Sequence, residues 1–76
     1  MWIKTVNKAI AAGGINLELV AGDGYFYFVG PGTENLSTAS VMVYRLNELS
    51  LDQWMTEARE VARLITNYED ERDGRY

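Results

Sequence analysis

Seventy-six residues, 47% hydrophobic and 24% charged, supply one small core and no second one. The chain contains no Cys and no His, which excludes thiol nucleophiles, disulfide frames, zinc-finger spacings and imidazole bases. Lys plus Arg is 7 and Asp plus Glu is 11, and the formal net charge of -4 opposes non-specific attraction to phosphate backbones or anionic lipid.

Residues 2–12 carry apolar side chains at Trp2, Ile3, Val6, Ala9 and Ile10, the i, i+3, i+4, i+7 recurrence of one helix face. Gly13-Gly14 ends this helix, because glycine just past a helix accepts the left-handed conformation of a C-terminal cap. From 15 to 22 the period changes to two, with Ile15, Leu17, Leu19 and Ala21 on one side and Asn16, Glu18 and Val20 on the other. Gly22-Asp23-Gly24 supplies a compact turn and Tyr25-Phe26-Tyr27-Phe28-Val29 an aromatic second strand, so the pair reads as a hairpin. Gly30-Pro31-Gly32 stops that strand, a polar loop continues to Ser37, and residues 39–44 resume alternation as a third, antiparallel strand.

Ser50 opens the last helix through a Ser-x-x-Gln capping box with Gln53, Asp52 in the first turn, and Leu49 placed to staple onto Trp54. Leu51, Trp54, Met55, Ala58, Val61, Ala62, Ile65 and Tyr68 form its apolar stripe, and Gln53, Thr56, Glu57, Arg59, Glu60 and Arg63 face away. Glu60 and Arg63 are spaced as a surface ion pair. Residues 69–76 lack an apolar stripe and are expected to form a charged, flexible tail on a single domain spanning 1–68.

The element order is αβββα, an α+β arrangement in which a three-stranded antiparallel meander carries both helices on one face. If the helices cover Leu17, Leu19, Phe26, Phe28, Val41 and Val43, the other face displays Glu18, Val20, Tyr25, Tyr27, Val29, Met42 and Tyr44. Phe then points inward and Tyr outward, as suits a ring that buries against a partner while its hydroxyl stays wet. Tyr and Met are enriched in interface cores, so Tyr25, Tyr27, Met42 and Tyr44 are the candidate partner-binding anchors. Glu18 and Glu34 are candidate rim charges that favour a partner protein with a basic surface.

Two alternatives use the same face: a homodimer that pairs it with itself, and a nucleic-acid-binding sheet with stacked rings. Charge opposes the second, since the strands supply only Arg45 while Glu18 and Asp23 lie in or beside the hairpin. The 30–37 loop lacks the Gly-Lys-Ser/Thr ending of a phosphate cradle, and Gly22-Asp23-Gly24 is too poor in acids for a calcium loop. With no second acid or positioned base beside Glu18 and Tyr27, the expectation is a protein that is not an enzyme and takes neither cofactor nor metal. No apolar run approaches the roughly 20 residues of a membrane span, and the N-terminus lacks a signal-peptide pattern, so a cytoplasmic setting without a membrane partner is expected.

The stretch Gly24-Tyr25-Phe26-Tyr27-Phe28-Val29-Gly30, with Ser40-Val41-Met42-Val43-Tyr44-Arg45-Leu46 and Ser50-Leu51-Asp52-Gln53-Trp54, resembles small accessory proteins of bacteriophages and other mobile elements. The resemblance covers residues 10–65 and is carried by fold-forming positions, with no functional residue to transfer. It implies a counter-defence inhibitor of the anti-CRISPR kind, acting in a bacterial cytoplasm by covering a working surface of a host defence complex.

Overall fold

The computed structural model describes the backbone of residues 1–36 and 39–73, and their side chains apart from those of 35 and 68–73. Helix α1 spans Ile3–Ala12, strands β1, β2 and β3 span Glu18–Ala21, Phe26–Val29 and Ser40–Val41, and helix α2 spans Leu51–Asp73. Short 3-10 turns occupy Thr33–Asn35 and Leu46–Glu48. The strands form one antiparallel sheet in the order β1-β2-β3, so the expected α+β meander with two helices is the observed fold.

The core forms on one face of this sheet. Val6 and Ile10 of α1 and Trp54, Ala58 and Val61 of α2 close over Leu19, Phe26 and Phe28, all eight buried in one cluster. Leu17, Val41 and Val43 pack against it, as their parity requires. Trp2 does not join the helix stripe and is 79% exposed. It occupies the N-cap position with extended backbone, φ -103 and ψ 150, so the helical period does not govern its side chain.

Local signals at the helix ends act as expected. Gly14, at φ +76, takes the left-handed position after α1. The Gly14 N–H donates to the Ala11 carbonyl at 3.0 Å and the Ile15 N–H to the Ile10 carbonyl at 3.1 Å, the paired bonds of a Schellman cap. At α2, the Ser50 N–H donates to Gln53 Oε1 at 2.8 Å and the Gln53 N–H to Ser50 Oγ at 3.2 Å, so the capping box closes in both directions. Arg63 and Glu60 form the expected ion pair on the exposed side.

The strands are shorter than the alternation predicts, and their partners explain why. Continuing the register in which Glu18 faces Val29 sets Asn16 opposite Pro31, which has no N–H to give, and β1 starts only at Glu18 rather than at 15. Continuing the register in which Phe26 faces Val41 sets Val43 opposite Gly24, which lies in the turn at φ +86, so β3 ends at Val41 rather than at 44. Helix α2 runs the other way, past the expected boundary at 68 to Asp73. Glu69, Glu71 and Arg72 are good helix formers and no breaker precedes Gly74. Ser37 of the expected polar loop and residues 74–76 of the expected tail lie outside the described residues.

One position on the β1 edge of the sheet, Leu19, is capped by a side chain. In β1, Leu19 faces Phe28, whose N–H turns toward β3 and donates to the Ala39 carbonyl at 2.9 Å. Leu19 therefore points both backbone groups away from β2. Asn7 of α1 meets them as an added strand residue would: the Leu19 N–H donates to Asn7 Oδ1 at 2.6 Å, and Asn7 Nδ2 donates to the Leu19 carbonyl at 3.0 Å.

Two substitutions test this arrangement. Phe28→Ala is expected to cost about 3–5 kcal/mol in urea unfolding, since it empties the centre of the core. A folded, stable variant would show that the sheet faces are reversed. Asn7→Ala is expected to cost about 1–2 kcal/mol by the same measurement and to speed exchange of the Leu19 amide, because both edge groups lose their partner.

Candidate protein-binding face

On the face away from the helices, pairing across the strands sets Val20, Tyr27 and Ser40 in one row and Glu18 and Val29 in the next. Tyr25 precedes Tyr27 by two residues and shares its side. The two rings meet at a centroid distance of 5.7 Å with an interplanar angle of 34°. Val20, Tyr25, Tyr27 and Val29 are half-buried against one another, while Glu18 and Ser40 are exposed.

The turn holds the rings in place by leaving room for them. The Gly22 N–H donates to the Tyr25 carbonyl at 2.8 Å and closes the turn. The Tyr25 ring lies directly over Gly22, where a Cβ would stand 2.7 Å from Tyr25 Cζ. Tyr44 leans on the turn from the other strand, and a Cβ on Gly24 would stand 3.3 Å from its Cε1. A side chain at either glycine displaces a tyrosine.

Tyr44 is set by its backbone as well. Glu48 Oε2 accepts from the N–H groups of both Tyr44 and Arg45, each at 2.7 Å, which ties the end of the third strand segment to the Leu46–Glu48 turn. That turn is fixed to the core by Trp54, whose Nε1–H donates to the Leu46 carbonyl at 2.8 Å. Glu48 was missed in the sequence because the residue it caps, Arg45, is no capping type and carries no local signal. The result is a rigid backbone under a free side chain: Tyr44 is 78% exposed, as is Met42.

The four expected anchors thus gather toward one end of the sheet. Tyr25 and Tyr27 touch, Tyr44 abuts the Gly22-Asp23-Gly24 turn, and Met42 falls opposite Tyr25 when the β2–β3 register is continued. The two expected rim acids are not brought to the same place. Glu18 opens β1, about 10 Å along the strand from Ala21 at the turn. Glu34 belongs to the Thr33–Asn35 turn, which packs on α2 beside Ile65, and its Oε2 accepts from the Gly32 N–H at 3.0 Å. Two other exposed acids lie beside the rings: Asp23, within the turn itself, and Glu48, bonded to the Tyr44 amide. Among the described residues no group of three or more Asp and Glu side chains is placed to hold a metal ion. No described helix is long and apolar enough to cross a membrane.

No protein-family model matches the chain, and no curated protein or solved structure does either.

The Glu48 tie can be checked by substitution. Glu48→Ala is expected to lower stability by about 1 kcal/mol, in line with loss of a helix cap. In a heteronuclear NMR spectrum it should shift the Tyr44 and Arg45 amides most, leaving those of Val20 and Tyr27 in place.

Proposed function

We propose that the chain is a non-enzymatic protein-interaction module that binds a partner protein through Tyr25, Tyr27, Met42 and Tyr44. What carries this is the division of the sheet: Phe26 and Phe28 are buried under the helices, while Met42 and Tyr44, each 78% exposed, stand uncovered, Tyr44 over a backbone that Glu48 holds in place. Exposed apolar side chains on a hydrogen-bonded backbone bind with a smaller ordering cost than those of a loose loop, and Tyr and Met are the residue types that interface cores favour. The net charge of -4, with Asp23 in the turn and Glu18 along β1, suits a partner whose contact surface is basic.

The finer form of the proposal follows the likeness of residues 10–65 to accessory proteins of mobile elements. In that form the partner is a bacterial defence complex in the host cytoplasm, and the chain inhibits it by covering a basic working surface such as a nucleic-acid channel. An acidic face bearing tyrosines fits that role, since it competes for the same positive charges without offering a substrate.

The test is capture from a host lysate by tagged protein, wild type beside Tyr27→Ala, with nuclease treatment and mass spectrometry, followed by titration of the purified partner. Tyr27→Ala and Tyr44→Ala are each expected to weaken binding by about 2 kcal/mol or more while leaving the circular dichroism spectrum unchanged. Wild-type affinity in both variants would remove the tyrosine face from the contact.

A further inference from the structure

The end of the open face around Tyr44 carries acids and no paired cation. Asp23 stands between Gly22 and Gly24, the two glycines on which the Tyr25 and Tyr44 rings lie. Glu48 is tied to the Tyr44 and Arg45 amides through Oε2, and among the described residues nothing donates to its Oε1. Both acids are exposed, as is Glu18 farther along β1. Arg45 is the one Lys or Arg between residues 18 and 48. Among the described residues it makes no ion pair and stacks on no ring, the one ion pair being Arg63 with Glu60 on α2. The Tyr44 ring approaches the turn along its Cδ1–Cε1 side, and at 78% exposed most of its surface is open.

We propose that this end of the face binds an arginine side chain of the partner protein, with its guanidinium stacked on Tyr44 and donating to Asp23 and Glu48. The inference rests on the reading of this face as the partner contact, and it names what the partner places there. Charge complementarity calls for a cation, because an apolar group that covered the ring would strip water from the carboxylates and give them no donor. Phosphate would meet like charge. Of the two cations, arginine serves both features at once: its plane lies flat on a ring while the N–H groups at its rim reach carboxylates beside it. A lysine ammonium is more strongly hydrated and has no plane to stack, so it gains the charge alone. Met42, two residues before Tyr44 and as exposed, offers apolar surface to the methylene stem of the arginine.

NMR titration of the isotope-labelled full chain with two peptides of equal length and charge, alternating Gly-Arg and alternating Gly-Lys, tests the site without the natural partner. The arginine peptide is expected to shift the Gly24, Tyr44 and Arg45 amides and to bind about threefold or more tighter than the lysine peptide. Tyr44→Leu keeps apolar surface but removes the ring, and is expected to bring the arginine peptide down to the affinity of the lysine one. Tyr44→Phe is expected to keep the preference, and Asp23→Asn to weaken the arginine peptide about twofold or more. Equal affinity for the two peptides in the wild type overturns the proposal, as does an arginine preference that outlives Tyr44→Leu. So does an affinity unmoved by Asp23→Asn, or the absence of any shift around Tyr44. Each of those results leaves the partner face standing where the captured partner still loses affinity in Tyr27→Ala and Tyr44→Ala. A partner that binds both alanine variants like wild type removes the face from the contact even where the peptide binds, so the two failures are told apart.

Discussion

A buried indole must find an acceptor for its N–H, and in this chain the search ends at the Leu46 carbonyl, 2.8 Å from Trp54 Nε1. Trp54 is fully buried, its ring edge-on to Phe26 at 5.4 Å between centroids. One side chain thereby joins α2, the start of β2 and the turn that follows the third strand. Leaving the indole unsatisfied would cost about 1–3 kcal/mol, so the Leu46–Glu48 turn is drawn to the core even though none of its residues is itself buried. Glu48 then reaches back to Tyr44 and Arg45, and the position of the exposed tyrosine becomes a consequence of the packing beneath it.

The same economy leaves one sheet face open. Two helices of 10 and 23 residues close over Leu19, Phe26 and Phe28, and the helices have no second apolar stripe with which to wrap the other side. A face of that kind must tolerate water, and the chain meets the requirement by choosing Tyr where the neighbouring inward positions use Phe. Tyr25 and Tyr27 shelter each other at 5.7 Å, and Tyr25 fills the space over Gly22. Part of the aromatic surface is thus spent on the hairpin itself. Met42 and Tyr44 gain no such shelter, which makes them the more informative half of the cluster.

Much of this was legible in the sequence because it is local. The Ser50–Gln53 box, the Gly13-Gly14 stop and the inward Phe and outward Tyr of β2 depend on residues a few positions apart, and each is found as its spacing predicts. Strand length was not legible, since a strand continues only while its neighbour offers a partner. Alternation at Asn16 and Val43 gives no notice that Pro31 and Gly24 stand opposite. Asn7 was invisible for the same reason: its bonds reach 12 residues away to Leu19, and an Asn on a helix otherwise signals only solvent. Glu34 was placed on the rim by its loop, but the sharp Gly32 turn aims that loop at α2 and uses the carboxylate internally. Trp2 misled because apolar periodicity was extended one residue beyond the helix.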